Sequence, residues 1–279
     1  MRALWAAICL SFFVLSCAAA TLHAAEAPPV TVDVTLPWLS EMARFIVGST
    51  MQVRPLTAWD AQKGTKALRR VEKDALIIAL DPKDGARHGV TKGRKGLHML
   101  YDNLPLPDAR RNALPFDPSI LPFLSQRLLI ALSEISPENY PFYQRRLAEF
   151  QSRMESTREV GRSLIRDVGI LDLSGAVNPW VAAAAGNCVR PPDELWRAWS
   201  QGARLPELTL AAKEAEKRGW WILLDGWTPA PIRSRIMGAH RNVFIDLPPP
   251  NMDFFDYLHD IYLKIWSAST KAKQSENGA

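Results

Sequence analysis

The chain has 279 residues, a formal net charge of +5, 47% hydrophobic residues and 23% charged residues. That is enough for two domains, and the apolar content sets it apart from chains too polar to fold. The mildly basic balance comes without a basic–aromatic motif, which argues against nucleic acid as a partner. Beyond the first residues no run of about 18 uninterrupted apolar residues offers a membrane span.

Residues 1–24 read as an export leader. Arg2 is the only charge before an uncharged run from Ala3 to Ala20, and Ala18-Ala19-Ala20 and Leu22-His23-Ala24 are both acceptable small-residue cleavage sites. Val14-Leu15-Ser16-Cys17 partly matches a lipoprotein box, with Leu15 the misfit, so Cys17 is a candidate lipid attachment point. A leader implies a periplasmic, secreted product. Cys9 and Cys17 leave with it, so Cys188 stands alone in the mature chain and forms no intramolecular disulfide.

In the first half, Val30–Leu36 alternates and is β-branched, which predicts a strand that Pro37 ends. Trp38–Val47 has helical apolar spacing with Gly48 as its C-terminal cap. Met51–Leu56 reads as a strand, Gln62–Lys73 as a basic amphipathic helix and Asp74–Leu80 as an apolar strand. This β-α-β-α-β order predicts a mostly parallel sheet. Segment 81–112 fits neither period. It carries Pro82, Gly85, Gly89, Gly93 and Gly96 and reads as a long loop.

From Ser136 the apolar positions Tyr140, Tyr143, Leu147, Phe150, Met154, Gly161, Leu164 and Ile165 form one helical stripe. Ser136 and Pro137 suit a helix start, whereas Pro141 delays full helix to about its own position. Thirty helical residues span roughly 45 Å at about 1.5 Å each, so the segment predicts a backbone joining two lobes. The second lobe repeats the alternation. Strands are expected at Val168–Leu173, Trp220–Leu224 and Asn242–Asp246, and helices at Val177–Ala185, Pro192–Trp199, Pro206–Arg218, Ala230–Met237 and Phe254–Ser267. The polar tail 269–279 reads as disordered. The expected organisation is a leader 1–24, an N-terminal lobe 25–135, a linking helix 136–167, a C-terminal lobe 168–268 and the tail. The fold class is α/β: two lobes, each with a mostly parallel sheet flanked by helices, joined by one long helix.

The stretch from Asp117-Pro118 through this long helix resembles the TroA/ZnuA-like periplasmic zinc- and manganese-binding proteins of ABC importers, over roughly residues 30–266. The resemblance implies a cleft at the C-terminal strand ends, an inner-membrane ABC permease as partner, a monomeric binding protein, and a divalent cation held by three histidines, one replaceable by glutamate, and an aspartate. Carried over one at a time, the first histidine falls on Trp59 and the second on Ala113. The third falls near Ser174, and the aspartate on Asp246. One carboxylate does not hold zinc, which takes three or four protein donors. Asp60 is the one further donor nearby, and an Asp60–Asp246 pair suits only a weak hard cation.

The expected cleft residues are therefore Trp59, Asp60, Ser174, Asp225, Trp227 and Asp246. An aromatic wall with one or two carboxylates suits a small organic or cationic ligand or a metal complex; tryptophans that merely fill the vacated metal space are the other reading. His88 and His98 lie in the 81–112 loop among Lys83, Arg87, Lys92, Arg94 and Lys95, a setting that repels a free cation. No Gly-rich phosphate loop, Cys-x-x-Cys pair or serine elbow occurs, so no enzyme is expected. The leading expectation is a solute-binding protein of an ABC importer with a diverged ligand site. The alternatives are a periplasmic accessory protein that kept the fold, and a metal-delivery partner using the His88–His98 loop.

Overall fold

The computed structural model describes residues 29–60, 64–104, 106, 108–249 and 252–277. The leader, Cys17 and Gln62 lie outside them. The first lobe is built on a sheet of order β2-β1-β5-β6, from Met51–Pro55, Val30–Val34, Leu76–Ala79 and Leu97–Met99. β1 and β6 both run parallel to β5, with Val34 opposite Ile78 and Ala79 opposite Met99. The second sheet has order β10-β9-β7-β8, from Asn242–Ile245, Trp221–Asp225, Gly169–Asp172 and Asn187–Val189, and every pair in it is parallel. The α/β reading of two parallel-sheet lobes joined by a long helix holds.

That helix, α4, runs from Tyr140 to Ile165 after a 3-10 turn at Pro137–Asn139, the delayed start that Pro141 demands. α1 (Pro37–Val47), α2 (Pro82–Arg87) and α3 (Leu121–Ile135) precede it. Its buried stripe is Tyr143, Leu147, Phe150, Met154, Gly161 and Ile165. Each large apolar side chain hidden this way contributes about 1.5–3 kcal/mol. Near its start the Tyr143 hydroxyl lies 2.9 Å from Thr50 Oγ1, and Arg146 donates to the Phe45 carbonyl at 3.0 Å. Further along, Gly161 faces the Tyr262 ring so closely that a Cβ would penetrate it. Tyr262 belongs to the last helix, Phe254–Asn277. Phe150 and Phe255 stand 5.0 Å apart between ring centroids, so one hydrophobic core runs from the first sheet through α4 to the last helix.

Three expectations need correction. Gln62–Lys73 is not a helix: Thr57–Asp60 (β3) and Gly64–Ala67 (β4) form an antiparallel hairpin with Trp59 opposite Thr65. Gly64 and Thr65 are poor helix formers, and pairing with β3 outweighs the basic apolar spacing. Segment 81–112 is not one loop. Asp81 accepts from the Asp84 N–H at 2.9 Å to start α2, β6 extends the sheet, and a 3-10 helix covers Asp108–Phe116. Gly89, Gly93 and Gly96 take positive φ in the turns between. The last helix continues to Asn277, through most of the segment expected to be disordered from Ser269.

In the second lobe, α5 (Asn178–Ala182), α6 (Asp193–Ser200), α7 (Leu205–Lys217) and α8 (Ala230–Ile236) fall within two or three residues of expectation. The three-residue strand β8 is too short to leave a pattern in the sequence.

Candidate functional site

In parallel sheets the loops after the strands open on one side, and ligands sit there. Here the loops after β1, β5 and β9 do so together. They enclose a cavity of about 970 Å³, lined from the first lobe by Trp38, Trp59, Lys83, Asp84, Arg87 and Arg111 among others, and from the second by residues 226–230 and Arg233. That is at the upper end of volumes that hold organic ligands and far beyond one metal ion. A smaller apolar pocket of about 180 Å³, walled by Trp59, Phe116, Pro248 and Tyr257, adjoins it.

The first-lobe wall centres on Asp84, 1% exposed. Its Oδ2 accepts from the Thr35 hydroxyl and from the Leu80 N–H at 3.0 Å, whereas its Oδ1 has no partner. Burial raises the Asp84 carboxyl above the ordinary range, opposed by those two donors. His88, at the end of α2, is lowered by burial, with Asp84 pulling the other way. Arg111 is ion-paired with Asp81 at the edge of this wall.

The second-lobe wall is held by Asp225, fully buried at the end of β9. Oδ1 accepts from Gly175 N at 2.8 Å, Trp227 N at 3.0 Å and Thr228 Oγ1 at 3.0 Å; Oδ2 accepts from Ala176 N at 2.8 Å and Val177 N at 3.1 Å. Burial raises its carboxyl while these donors oppose. With both oxygens engaged, Asp225 clamps the loop after β7 to the loop that carries Trp227. It is not presented to a ligand. Gly175 is required beneath it, because a Cβ would enter the Trp227 backbone.

The remaining expected residues divide. Trp59 and Trp227 line the cavity and touch each other edge to face, with ring centroids 5.3 Å apart. Phe116 backs Trp227 at 5.4 Å. Asp60 closes the β3–β4 ladder opposite Gly64 and is not a lining residue. Ser174 is fully buried, and its hydroxyl donates to Asp172 Oδ1 at 2.6 Å. Asp172 also takes Asn178 at 2.7 Å and Arg190 at 2.5 Å, so Ser174 belongs to a closed internal network. Asp246 has its side chain 70% exposed and pairs with Lys264 at 2.8 Å, outside both cavities. Ala113 lies on the 3-10 helix beside Arg111 and Asn112, which do line the cavity.

A divalent cation therefore does not fit the donor set found here. Among the described residues no three His, Cys, Asp or Glu side chains converge. His88 lines the cavity, but His98 sits on β6 and bonds Glu134 at 2.9 Å, so the two histidines are engaged differently. Sequence reasoning missed Asp84, Arg111 and Arg233. The one available signal was Asp81-Pro82-Lys83-Asp84 immediately after a strand, a helix-start pattern in a segment read as loop.

No protein-family model matches this chain, and no curated protein matches it in sequence. Solved structures do match. ZnuA superposes with a TM-score of 0.62 at 13% identity, covering 86% of this chain and 99% of that one. The Mn-bound periplasmic metal-binding protein from Candidatus Liberibacter asiaticus gives 0.60 at 12% identity, with the same coverage. The solute-binding protein FpvC from Pseudomonas aeruginosa, in complex with Mn²⁺, gives 0.59 at 11% identity, covering 88% and 99%. The fold is thus that of the TroA/ZnuA-like periplasmic metal-binding proteins.

Proposed function

We propose that this chain is a periplasmic solute-binding protein that delivers its cargo to an inner-membrane ABC permease, with a ligand site diverged from divalent-cation binding. The observation that carries the reading is the cavity of about 970 Å³ at the strand ends of both sheets, walled by Trp227 and by Trp59, the residue on which the family resemblance sets its first histidine. Its size calls for a solute larger than a bare ion. The fold, a leader expected at 1–24 and neighbours described as periplasmic support the location.

The test uses the chain from residue 25 after chelator treatment. Zn²⁺ and Mn²⁺ are titrated calorimetrically, and fractions of a bacterial small-molecule extract are screened by thermal shift. Binding N but not U at a hundredfold excess over Kd adds about 2.7 kcal/mol of stability, well within reach of the method. The expected result is stabilisation by an organic fraction and none by either metal. Submicromolar one-to-one zinc binding abolished by Asp246→Ala would overturn the diverged site. A chain that no small-molecule fraction stabilises, but a periplasmic protein does, would favour the accessory role.

A further inference from the structure

Resting on the solute-binding reading, we propose that the cargo is an organic anion: a flat apolar body carrying carboxylate or similar oxyanion groups, seated between the tryptophans and a set of cationic side chains. The cavity is lined by four cations, Lys83, Arg87, Arg111 and Arg233, against a single carboxylate, Asp84. Arg111 is already paired with Asp81. Among the described residues, neither Arg87 nor Arg233 has a carboxylate within ion-pair distance. Arg87 comes from the first lobe and Arg233 from the second, so the uncompensated charge faces the space from both sides.

Such an arrangement repels a bare divalent cation and is relieved by an anion, and guanidinium groups match carboxylates in a two-point geometry. The cations are not simply the surplus of a basic loop. Lys92 is paired with Asp102 at 2.7 Å, and Arg94 donates to the Glu72 and Lys73 carbonyls, so those two are engaged elsewhere.

Two further polar atoms of lining side chains are buried without a partner: Asp84 Oδ1 and Trp227 Nε1. The indole N–H is a donor only, and burial disfavours the charged form of Asp84, which lessens its opposition to an anion. The Trp227 indole N–H therefore complements an acceptor oxygen of the solute. Trp38, Trp59 and Trp227 supply the apolar wall, and the volume exceeds what an inorganic oxyanion fills.

The experiment splits a bacterial small-molecule extract on ion-exchange resins into anionic, neutral and cationic fractions and screens each by thermal shift. In parallel, benzene-1,2,4-tricarboxylate, inorganic phosphate, zinc citrate and Zn²⁺ are titrated with tryptophan fluorescence as readout. We expect the anionic fraction alone to stabilise the protein. Among the pure probes the aromatic carboxylate should bind best and weaken as salt rises. Arg87→Gln/Arg233→Gln should weaken binding at least about tenfold without lowering the melting temperature of the ligand-free protein. Stabilisation by the neutral or cationic fraction, lost in Trp227→Ala, would overturn the anion and leave the solute-binding reading intact. Phosphate binding as tightly as the aromatic carboxylate would overturn the organic body; zinc citrate binding where the free carboxylates do not would overturn a metal-free cargo. Silence of all three fractions would overturn both readings.

Discussion

Trp59 and Trp227 meet edge to face, 5.3 Å between ring centroids, across the cleft between the two sheets. Trp59 comes from a hairpin on the first lobe and Trp227 from the loop after the central strand of the second. Their contact is thus one of the places where the lobes touch at the proposed site, and Trp59 lines both the large cavity and the small apolar pocket. Replacing Trp227 with alanine should remove the wall and leave Trp59 wetter. The emission maximum of the ligand-free protein should shift to longer wavelength, and the stabilising fraction should lose at least about tenfold in affinity. Unchanged emission and affinity would remove Trp227 from the site.

Asp225 is expected to be a stability residue with an indirect effect on binding. In Asp225→Asn the amide nitrogen faces N–H groups that now have no acceptor, whichever way it is turned. The cost should be about 3 kcal/mol, the sum of two stranded donors. Urea unfolding gives the number. A loss below about 0.5 kcal/mol would mean that the loops around Trp227 do not depend on this carboxylate.

Asp84 makes a pH prediction. Burial raises its carboxyl above the ordinary range, so the folded state holds this proton more tightly than the unfolded chain does. The associated stability is fully present below the unfolded value and is lost as pH rises through the folded one. Asp84→Asn has no proton to lose. The unfolding free energy of the parent should therefore fall relative to Asp84→Asn as pH rises above the ordinary carboxylate range. His88 and Asp81 are present in both proteins, so the difference reports Asp84 together with its coupling to these two neighbours. Parallel curves, or a parent gaining on the variant, would contradict the assignment.

Gly161 lets the long helix approach the last one. A methyl group there runs into the Tyr262 ring, whose hydroxyl donates to the Trp180 carbonyl at 2.9 Å and whose face stacks on Trp180 at 5.6 Å. The ring has little freedom to retreat. Alanine gains helix propensity of nearly 1 kcal/mol over glycine, but overpacking costs about 1–3 kcal/mol, so Gly161→Ala should be net destabilising. A melting temperature at or above the parent's would show that the two helices part without cost.

What could be read along the chain was whatever depends on local period. The stripe from Tyr143 to Ile165 gave away the long helix and its length, and the proline at 141 marked where it begins. β-branched and apolar runs located β1, β5, β7, β9 and β10, because parallel strands buried on both faces announce themselves by composition. The absence of histidines at the carried-over positions was likewise visible without coordinates. The residues that make the cavity were not. Arg111 and Arg233 are separated by more than a hundred positions and line one cavity only because two sheets open toward each other. Asp225 and Asp246 look alike in sequence, each an aspartate at a strand end. Five donated hydrogen bonds bury one as a clamp, and an ion pair with Lys264 leaves the other at the surface. Local pattern governs which backbone hydrogen bonds close within an element. Only the packing of distant loops sets which carboxylate loses its water and which cations face a cavity without a counter-charge, and that packing is where the charge of the proposed cargo is written.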